Sequence, residues 1–257
     1  MDELLGYVIG FLPVLVRVSG LVMASPIFGG RGVPAQVKIG LSLVTAMALY
    51  PILPDHVLSM EKVAAYYVVI LRELMVGIGL GFAVTVVFSA IYLAGQLIDV
   101  PMGFGMVNVV DPQSGLQVPI FAQFQYILAA LVFLSVRGHH GLFQALSSSF
   151  TLIPIGGNLS GRSWPMAVLA LFAKMFYLGV KLSLPLVMGL LLADIALGIV
   201  ARAVPQINIF VVGFPAKILI GISLFVFLIP AYVTLLAQVF GAQGELGVAL
   251  KSLLMSF

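Results

Sequence analysis

The sequence predicts an all-α, polytopic protein that belongs in a membrane complex. Of its 257 residues, 62% are hydrophobic and only 8% are charged, and the mean hydropathy is +1.21. Soluble domains carry about 25% charged residues, so this chain has too few of them to cover a water-facing surface. A spanning helix needs about 20 apolar residues, and several uncharged runs approach or exceed that length. These runs cover residues 39–54, 74–98, 112–136, 138–161 and 218–244.

Each apolar stretch is predicted to be a helix. Inside hydrocarbon a segment must pair its own backbone N–H and C=O groups, and these stretches lack the period-2 alternation of strands. Prolines mark the breaks between them, as at Pro26, Pro54 and Pro154. The first helix is expected to be retained, because Asp2 and Glu3 stand where a cleavable signal needs basic residues. The predicted helices cover residues 4–25, 36–53, 62–98, 118–136, 139–152, 164–203 and 210–240.

Two of the predicted helices are longer than one membrane crossing requires. Residues 62–98 and 164–203 would extend about 55–60 Å at 1.5 Å per residue, against a hydrocarbon core of about 30 Å. One alternative is that each stretch breaks into a hairpin, around the glycines of 77–81 in the first and around Pro185 in the second. The other is that the helices continue beyond the bilayer into a larger assembly. We therefore predict long, Gly/Pro-broken helical hairpins rather than a simple row of spans.

Pairs of glycines four residues apart indicate where helix backbones approach one another. Gly6 with Gly10, and Gly77 with Gly81, have this small-xxx-small spacing. The pattern predicts close helix contacts at both places.

Composition and motifs argue against several classes of function. The chain has no cysteine, which excludes disulfides, iron–sulfur ligation and thiol chemistry. Its 12 Lys and Arg residues are scattered singly, so no basic patch for nucleic acid is predicted. His139 and His140 are adjacent and point about 100° apart on a helix, which favours a structural role over shared metal binding. Phosphate-binding, metalloprotease and nucleophile-elbow motifs are missing from the sequence, so we expect no enzyme, no cofactor and no metal site.

The most informative stretch is the connection at about 99–117, called the central segment below. It combines the Gly and Pro of irregular backbone with Met, Phe and Val, where an exposed loop would be polar. Irregular backbone at membrane depth is tolerated where it is enclosed in protein or faces a water-filled cavity. Two interpretations follow: a plug or gate sealed by adaptable Met side chains, or a re-entrant connection packed on its own helices. The candidate plug residues are Met102, Gly103, Phe104, Gly105, Met106, Val107, Asn108, Val109, Val110, Asp111, Pro112, Gln113, Ser114 and Gly115.

Single charged side chains inside the apolar stretches form a second group of candidates. A charge at the bilayer centre costs about 2.5–3.5 kcal/mol on insertion scales, so each must pair, reach the interface or face a wet cavity. Lys174 and Lys181 share a helix face, which indicates either contact with a partner's carboxylates or lysines that reach the interface. Asp194 and Arg202 are spaced for indirect pairing only, and Lys217 is expected to reach the interface. The charges expected to contact subunits or to line a cavity are Arg17, Arg72, Glu73, Lys174, Lys181, Asp194 and Arg202.

Four ordered motifs carry a family resemblance. The first contains RVSG at 17–20, ASPIFG at 24–29 and VPAQVK at 33–38. The second and third contain GQLID at 95–99 with MGF at 102–104, and VDPQSG at 110–115. The fourth contains GHH at 138–140, SF at 149–150 and PIG at 154–156. In this order and over essentially the whole chain, the motifs resemble the FliR family of bacterial flagellar biosynthesis proteins.

The resemblance implies one export-gate domain over residues 1–257, in a subunit of the bacterial type III export gate. Members of this family assemble with FliP and FliQ around a conduit for unfolded flagellar proteins, and FlhB and rod components are further expected partners. The implied location is the inner (cell) membrane at the flagellar basal body. By the same resemblance, the stretch from about Gly103 to Gly115 is similar to the family's plug. Related machinery serves injectisomes, and the motifs look closer to the flagellar branch.

A secondary transporter for a small solute is the alternative. Asp194, Lys174 and Lys181 lie inside apolar stretches, and such groups often mark ion or substrate routes. A transporter of this kind should contain two related halves, and the sequence has no convincing internal repeat.

Overall fold

The computed structural model of the chain describes residues 2–53, 63–104, 119–157, 164–206, 208–241 and 244–256. All regular structure in these ranges is helical, which confirms the all-α prediction. Five helical stretches within them are long and apolar enough to cross a membrane, namely α1, α2 with the 3₁₀ turn after it, α3, α6 and the α7 region. The helices are α1 (Asp2–Ala24), α2 (Ala35–Leu49), α3 (Val63–Met102), α4 (Ile120–Ser135), α5 (Gly138–Leu152), α6 (Trp164–Ala203), α7 (Ile209–Phe240) and α8 (Glu245–Leu254), with the 3₁₀ turn at Tyr50–Ile52.

The two longest helices are continuous, so the alternative in which each breaks into a hairpin is wrong. α3 and α6 contain 40 residues each, which is about 60 Å at 1.5 Å per residue. Pro185 lies inside α6 and does not end it. Both helices exceed a hydrocarbon core of about 30 Å, and the second alternative, extension into a larger assembly, stays a prediction.

The glycines of α3 serve close packing instead of a break. A Cβ built on Gly77 would lie 2.1 Å from the carbonyl oxygen of Arg17, and one built on Gly81 would lie 2.6 Å from Ala24 Cβ. α3 and α1 therefore approach backbone to backbone, as the small-xxx-small spacing predicts. Among the described residues nothing lies within 4 Å of a Cβ built on Gly6, whereas one built on Gly10 would lie 2.9 Å from the hydroxyl oxygen of Tyr50. The close approach predicted for this pair is therefore present at Gly10 and not at Gly6.

The chain forms two compact units, each assembled from separated stretches. The first comprises Met1–Val87, Arg137–Phe172 and Phe240–Phe257. It brings together α1, α2, the beginning of α3, α5 and α8. Its core is apolar where α1 packs, with Val18 and Leu21 fully buried.

The second unit comprises Phe88–Val136 and Ala173–Val239, and so contains the end of α3, α4, most of α6 and nearly all of α7. Aromatic rings hold α4 to its neighbours. The ring centroids of Phe121 on α4 and Phe225 on α7 are 4.9 Å apart in an edge-to-face arrangement, and Phe88 on α3 packs 5.8 Å from Phe133. Such pairs stabilise the packing beyond the area that they bury.

Helix α8 has no counterpart among the predicted helices. It contains 10 residues, too few to cross a bilayer, so the length of apolar runs does not predict it. Its apolar positions follow the i, i+3, i+4, i+7, i+8 pattern of an amphipathic helix, and this face packs against α5. The buried side chains are Leu246, Ala249, Leu250, Leu253 and Leu254.

Candidate functional site: the anchored central segment and the buried charges

The beginning of the central segment is held by α7. The residues 99–102, predicted as loop, are the last turn of α3, because α3 continues to Met102. The Met102 side chain is fully buried, and a Cβ built on Gly221 of α7 would lie 2.7 Å from Met102 Cε. Gly103 follows with a φ of 96°, a conformation that favours glycine. We call Met102 and Gly103 the foot of the central segment.

An aromatic ring of α7 covers the foot. A Cβ built on Gly103 would lie 2.9 Å from Cδ1 of Phe214. Position 103 therefore excludes a side chain twice, once through its positive φ and once through the ring above it. Gly103 is the residue that lets the chain leave α3 beneath Phe214.

Asp99 ties the start of α4, the helix that follows the central segment, to the same place. Its carboxylate accepts hydrogen bonds from the backbone N–H of Phe121 at 3.0 Å and of Ala122 at 3.1 Å, in the first turn of α4. The first N–H groups of a helix have no partner within the helix, and a carboxylate near them is also favoured by the helix dipole. Close packing reinforces the link, because a Cβ on Gly95 would lie 2.2 Å from Ala122 Cα. The central segment thus leaves and re-enters the fold at one anchored point.

The larger part of the predicted plug lies outside the described residues. Met102, Gly103 and Phe104 are described, and Phe104 is half-buried. The remaining candidates are Gly105, Met106, Val107, Asn108, Val109, Val110, Asp111, Pro112, Gln113, Ser114 and Gly115.

An ion pair lies beside the foot, on α6 and α7. Lys217 Nζ binds Asp194 Oδ1, and both side chains are partly exposed. Asp194 therefore pairs with Lys217 and not with Arg202, and Lys217 pairs within the chain although it was expected to reach the interface. Lys217 Nζ also lies 6.0 Å from the centroid of the Phe214 ring. The sequence could not indicate this pairing, since the two residues come together only when α6 and α7 pack side by side.

A cavity of about 280 Å³ adjoins this ion pair. Its wall is mostly apolar and includes three small residues. The residues that line it are Asp194, Leu197, Gly198, Ala201, Gly213, Phe214 and Lys217.

In the other unit, Arg17 forms a buried polar centre with groups from α1, α3 and the end of α5. Arg17 is 0% exposed, and its Nε donates to Glu73 Oε2 at 2.5 Å. Its two terminal nitrogens donate to Ser149 Oγ at 3.1 Å and to the carbonyl oxygen of Ile153 at 2.9 Å. The guanidinium also lies 4.1 Å from the centroid of the Phe150 ring. Each of the three guanidinium nitrogens donates a hydrogen bond and an aromatic ring lies beside the group, and a charge buried in apolar surroundings requires such partners.

Known proteins match this chain over most of its length. The model of the family described as "Bacterial export proteins, family 1" matches residues 8–242. The chain belongs to this family. Among its relatives is the flagellar biosynthetic protein FliR of Bacillus subtilis, 35% identical over 248 residues, which are 95% of each chain. The protein of the same name from Escherichia coli is 36% identical over 216 residues, which are 84% of this chain and 82% of that one.

A relative with lower identity also matches over most of its length. The flagellar biosynthetic protein FliR of Aquifex aeolicus is 27% identical over 224 residues, 87% of this chain and 86% of its own. These matches confirm the resemblance read from the motifs. They establish a flagellar biosynthesis protein of the bacterial export family.

The remaining predicted charges of this export-family chain have no partner within the part that the structure describes. Lys174, Lys181 and Arg202 are exposed on α6, and Arg72 is half-buried on α3. Neither of the two ion pairs found among the described residues includes any of them. The two lysines are exposed along an apolar helix, which leaves both sequence-based interpretations, partner contact and reach to the interface, open to test.

Sequence reasoning missed the residues of α7 that hold the foot. Phe214, Lys217 and Gly221 are spaced i, i+3 and i+7 and therefore share one helix face. That spacing was available in the sequence, but a Phe and a Gly in an apolar helix are ordinary, and only the packing of α7 against the end of α3 gives them a role. The partner of Arg17 was missed for a similar reason, since Glu73 is 56 residues away.

The paired histidines lie at the start of α5. Their ring centroids are 4.6 Å apart, and the His140 N–H donates to the carbonyl oxygen of Arg137 at 2.9 Å. Arg137 itself has a φ of 57°, where the chain breaks between α4 and α5. Within the described ranges, no group of three or more His, Cys, Asp or Glu side chains is placed to hold a metal ion.

Proposed function

We propose that this chain is a subunit of the flagellar type III export gate in the bacterial inner membrane, at the flagellar basal body. It forms part of the conduit for unfolded flagellar proteins and assembles with FliP and FliQ, with FlhB and rod components as further neighbours. Residues 1–257 act as one export-gate domain. The names of the relatives, the motifs of the sequence and the five helices suited to a membrane support this assignment.

In this proposal the central segment is the plug of the closed conduit. The observation that carries it is the anchoring of an apolar, Gly-rich segment at both ends. Met102 and Gly103 are held by α7, and Asp99 binds the first turn of α4. A segment whose two ends are held close together can extend only a limited distance from them. A plug requires such a limit, and an unanchored loop does not have it.

Apolar side chains suit the closed state of such a conduit. A constriction lined by Met and Val expels water, and ions do not cross a dewetted constriction. Met is unbranched and adapts to an irregular opening. A passing unfolded chain displaces such a seal without breaking strong polar contacts.

The exposed surface of α6 suits contact with other subunits. Only 11% of its most apolar stretch is buried within this chain, compared with 67% for α3. Lys174 and Lys181 lie exposed on this helix. We assign the surface to partner helices that carry carboxylates, because a lysine in apolar surroundings is stabilised by an opposite charge.

Deletion of the central segment tests the plug directly. Removing residues 103–115 should leave the subunits assembled while the membrane becomes permeable to ions, because the seal is gone and the anchors outside it remain. Permeability is measured in cells and in vesicles that contain the purified complex, and assembly is measured by co-purification. A tight membrane in the presence of an assembled, deleted complex removes the plug from the proposal.

Polar substitution within the segment separates a seal from a mere connection. Val107, Val109 and Val110 changed together to Ser should permit ion leakage, because hydroxyl groups keep the constriction wet. The same three residues changed to Ala are the matched control, since Ala shortens the side chains but keeps them apolar. Equal tightness of the Ser and Ala variants contradicts a dewetted seal.

A secondary transporter is the second candidate, and the Asp194–Lys217 pair beside a cavity is the observation that favours it. An intramembrane ion pair at a cavity is a common feature of solute and ion routes. Proteoliposomes that contain this chain alone discriminate the two functions. Uptake of small solutes without FliP or FliQ supports the transporter, and its absence together with complex-dependent export supports the gate.

A further inference from the structure

One face of α7 makes two packing contacts and one ion pair. Phe214 and Gly221 hold the foot of the central segment, and Lys217 between them pairs with Asp194 of α6. The three residues are spaced i, i+3 and i+7, so they move together when this part of α7 moves. The position of the foot is therefore linked to an ion pair that does not touch it.

A contact with another helix would stabilise the beginning of α7. Pro215 lies inside the helix, and a proline has no N–H to donate to the carbonyl four residues earlier. The backbone hydrogen bond from position 215 to the carbonyl oxygen of Val211 is therefore missing. A side-chain link to a neighbouring helix offsets this weakness, and Lys217 with Asp194 supplies one within a turn of the proline.

Phe214 also has room to leave the foot. It lines the cavity of about 280 Å³ together with Gly198, Ala201 and Gly213. A cavity of ~150 Å³ is enough to bind benzene, so a displaced ring fits in the space available. Lys217 lies on the same helix face, one turn from this ring.

We propose that Asp194 and Lys217 are positioning residues whose ion pair keeps Phe214 over Gly103 and Gly221 against Met102, and so fixes the foot of the central segment. The consequence for closure rests on the proposed plug, whereas the position of the foot is measurable without it. Neither residue touches the conduit in this proposal. They act through α7 alone.

A disulfide between α3 and α7 measures the position of the foot. The chain has no cysteine, so Met102→Cys with Gly221→Cys introduces the only pair. A Cβ at position 221 would lie 2.9 Å from Met102 Cγ, the position that Sγ occupies in the Cys variant, and this is within disulfide reach. The rate of cross-linking in the assembled complex then reports how firmly α7 holds the foot.

Charge variants in this background test the proposal. Asp194→Asn and Lys217→Gln should each lower the cross-linking rate about fivefold, because each removes the ion pair that links α7 to α6. The exchange of both residues, Asp194→Lys with Lys217→Asp, restores the pair in reverse and should restore most of the rate. Lys251→Gln, which removes an exposed lysine of α8, is the control and should leave the rate unchanged. A rate unaffected by the single variants, or an exchange variant that assembles and stays as slow as they are, overturns the proposal.

Ion permeability separates this inference from the plug itself. If deletion of residues 103–115 causes leakage and Asp194→Asn leaves both cross-linking and tightness unchanged, the plug stands and the positioning role is wrong. If the single variants slow cross-linking while the deletion causes no leakage, the positioning role stands and the plug is wrong. The double neutral variant, Asp194→Asn with Lys217→Gln, leaves no lone charge. It should assemble normally yet cross-link slowly, and normal cross-linking in it also counts against the proposal.

Discussion

At the scale of single residues, the buried charges show how this fold satisfies groups that its composition makes costly. Arg17 meets four different groups, of which Glu73 alone carries charge. An arginine suits this place because its planar fork donates in several directions at once, which a lysine ammonium on a flexible stem does not match. The pairing joins α1 to α3, and the other two hydrogen bonds join it to the end of α5.

Removing one partner of this centre should cost more than removing both charges. Arg17→Met leaves Glu73 buried and unpaired, and we expect a loss of about 3–5 kcal/mol in the free energy of unfolding. Arg17→Met combined with Glu73→Met should recover a large part of that loss, because two apolar side chains replace two charges. Thermal unfolding of the detergent-purified complex measures the order of the variants. A double variant less stable than the single one would mean that the hydrogen bonds to Ser149 and Ile153 dominate.

At the scale of elements, helix approach depends on glycines that look interchangeable in the sequence. Gly77 and Gly6 both begin a small-xxx-small spacing, yet only Gly77 touches another backbone. The reason is tertiary, because α1 lies against α3 at Gly77, while none of the residues that the structure describes lies against Gly6.

This difference gives a matched pair of substitutions. Gly77→Ala should destabilise the protein by at least about 1–3 kcal/mol, because its Cβ would lie 2.1 Å from the carbonyl oxygen of Arg17 and the helices must move apart. Gly6→Ala should be neutral or slightly stabilising, since alanine favours helix and no atom lies within 4 Å of its Cβ. Melting temperatures of the two variants, measured side by side, decide the matter. Equal effects would refute close packing at Gly77.

At the scale of the whole molecule, the exposed apolar helices indicate that this chain is built to be covered. α6 carries exposed Leu, Phe and Met side chains along much of its length, such as Leu169, Phe176, Met188 and Leu192. Hydrocarbon covers such a surface, and so do neighbouring subunits. Removal of the two lysines on α6 tests which of the two covers it, because lipid tails offer a lysine no partner and subunit carboxylates do.

Loss of these lysines should therefore weaken assembly. Lys174→Leu with Lys181→Leu is expected to lower the amount of FliP and FliQ that co-purifies with the tagged chain, since two charge pairs across subunits are lost. Lys174→Arg with Lys181→Arg keeps the charge and is the control. Normal co-purification of the leucine variant would indicate that both lysines simply reach the membrane interface.

Much of the helical layout followed from local pattern. The break between α1 and α2 lies where Pro26 and the glycines after it predict one, and α4 and α5 are separate helices as predicted. Unbroken α3 and α6 were not predictable, because the same glycines and proline are compatible with a break until a neighbouring helix packs on them. The length of apolar runs does not predict α8, because this helix has only 10 residues. Its sequence signal is the amphipathic spacing of its apolar residues.

The candidate site, too, was predictable from the sequence only in part. The central segment stood out by composition, since apolar side chains beside Gly and Pro are unusual in a connection. The residues that anchor it were not recognisable from composition, because Asp99 looked like a loop residue and Phe214 looked like an ordinary residue of an apolar helix. Their roles come from contacts between segments that are distant along the chain.

The sequence by itself determined that this protein is helical, apolar throughout and a member of the bacterial export family. It could do so because a backbone in hydrocarbon must satisfy its hydrogen bonds within its own segment, which makes secondary structure a local property. Only the tertiary structure decided which charge meets which, with Arg17 bound to Glu73 and Asp194 bound to Lys217. A lone charge in an apolar helix requires a partner but does not specify one, and the choice is made when the helices pack.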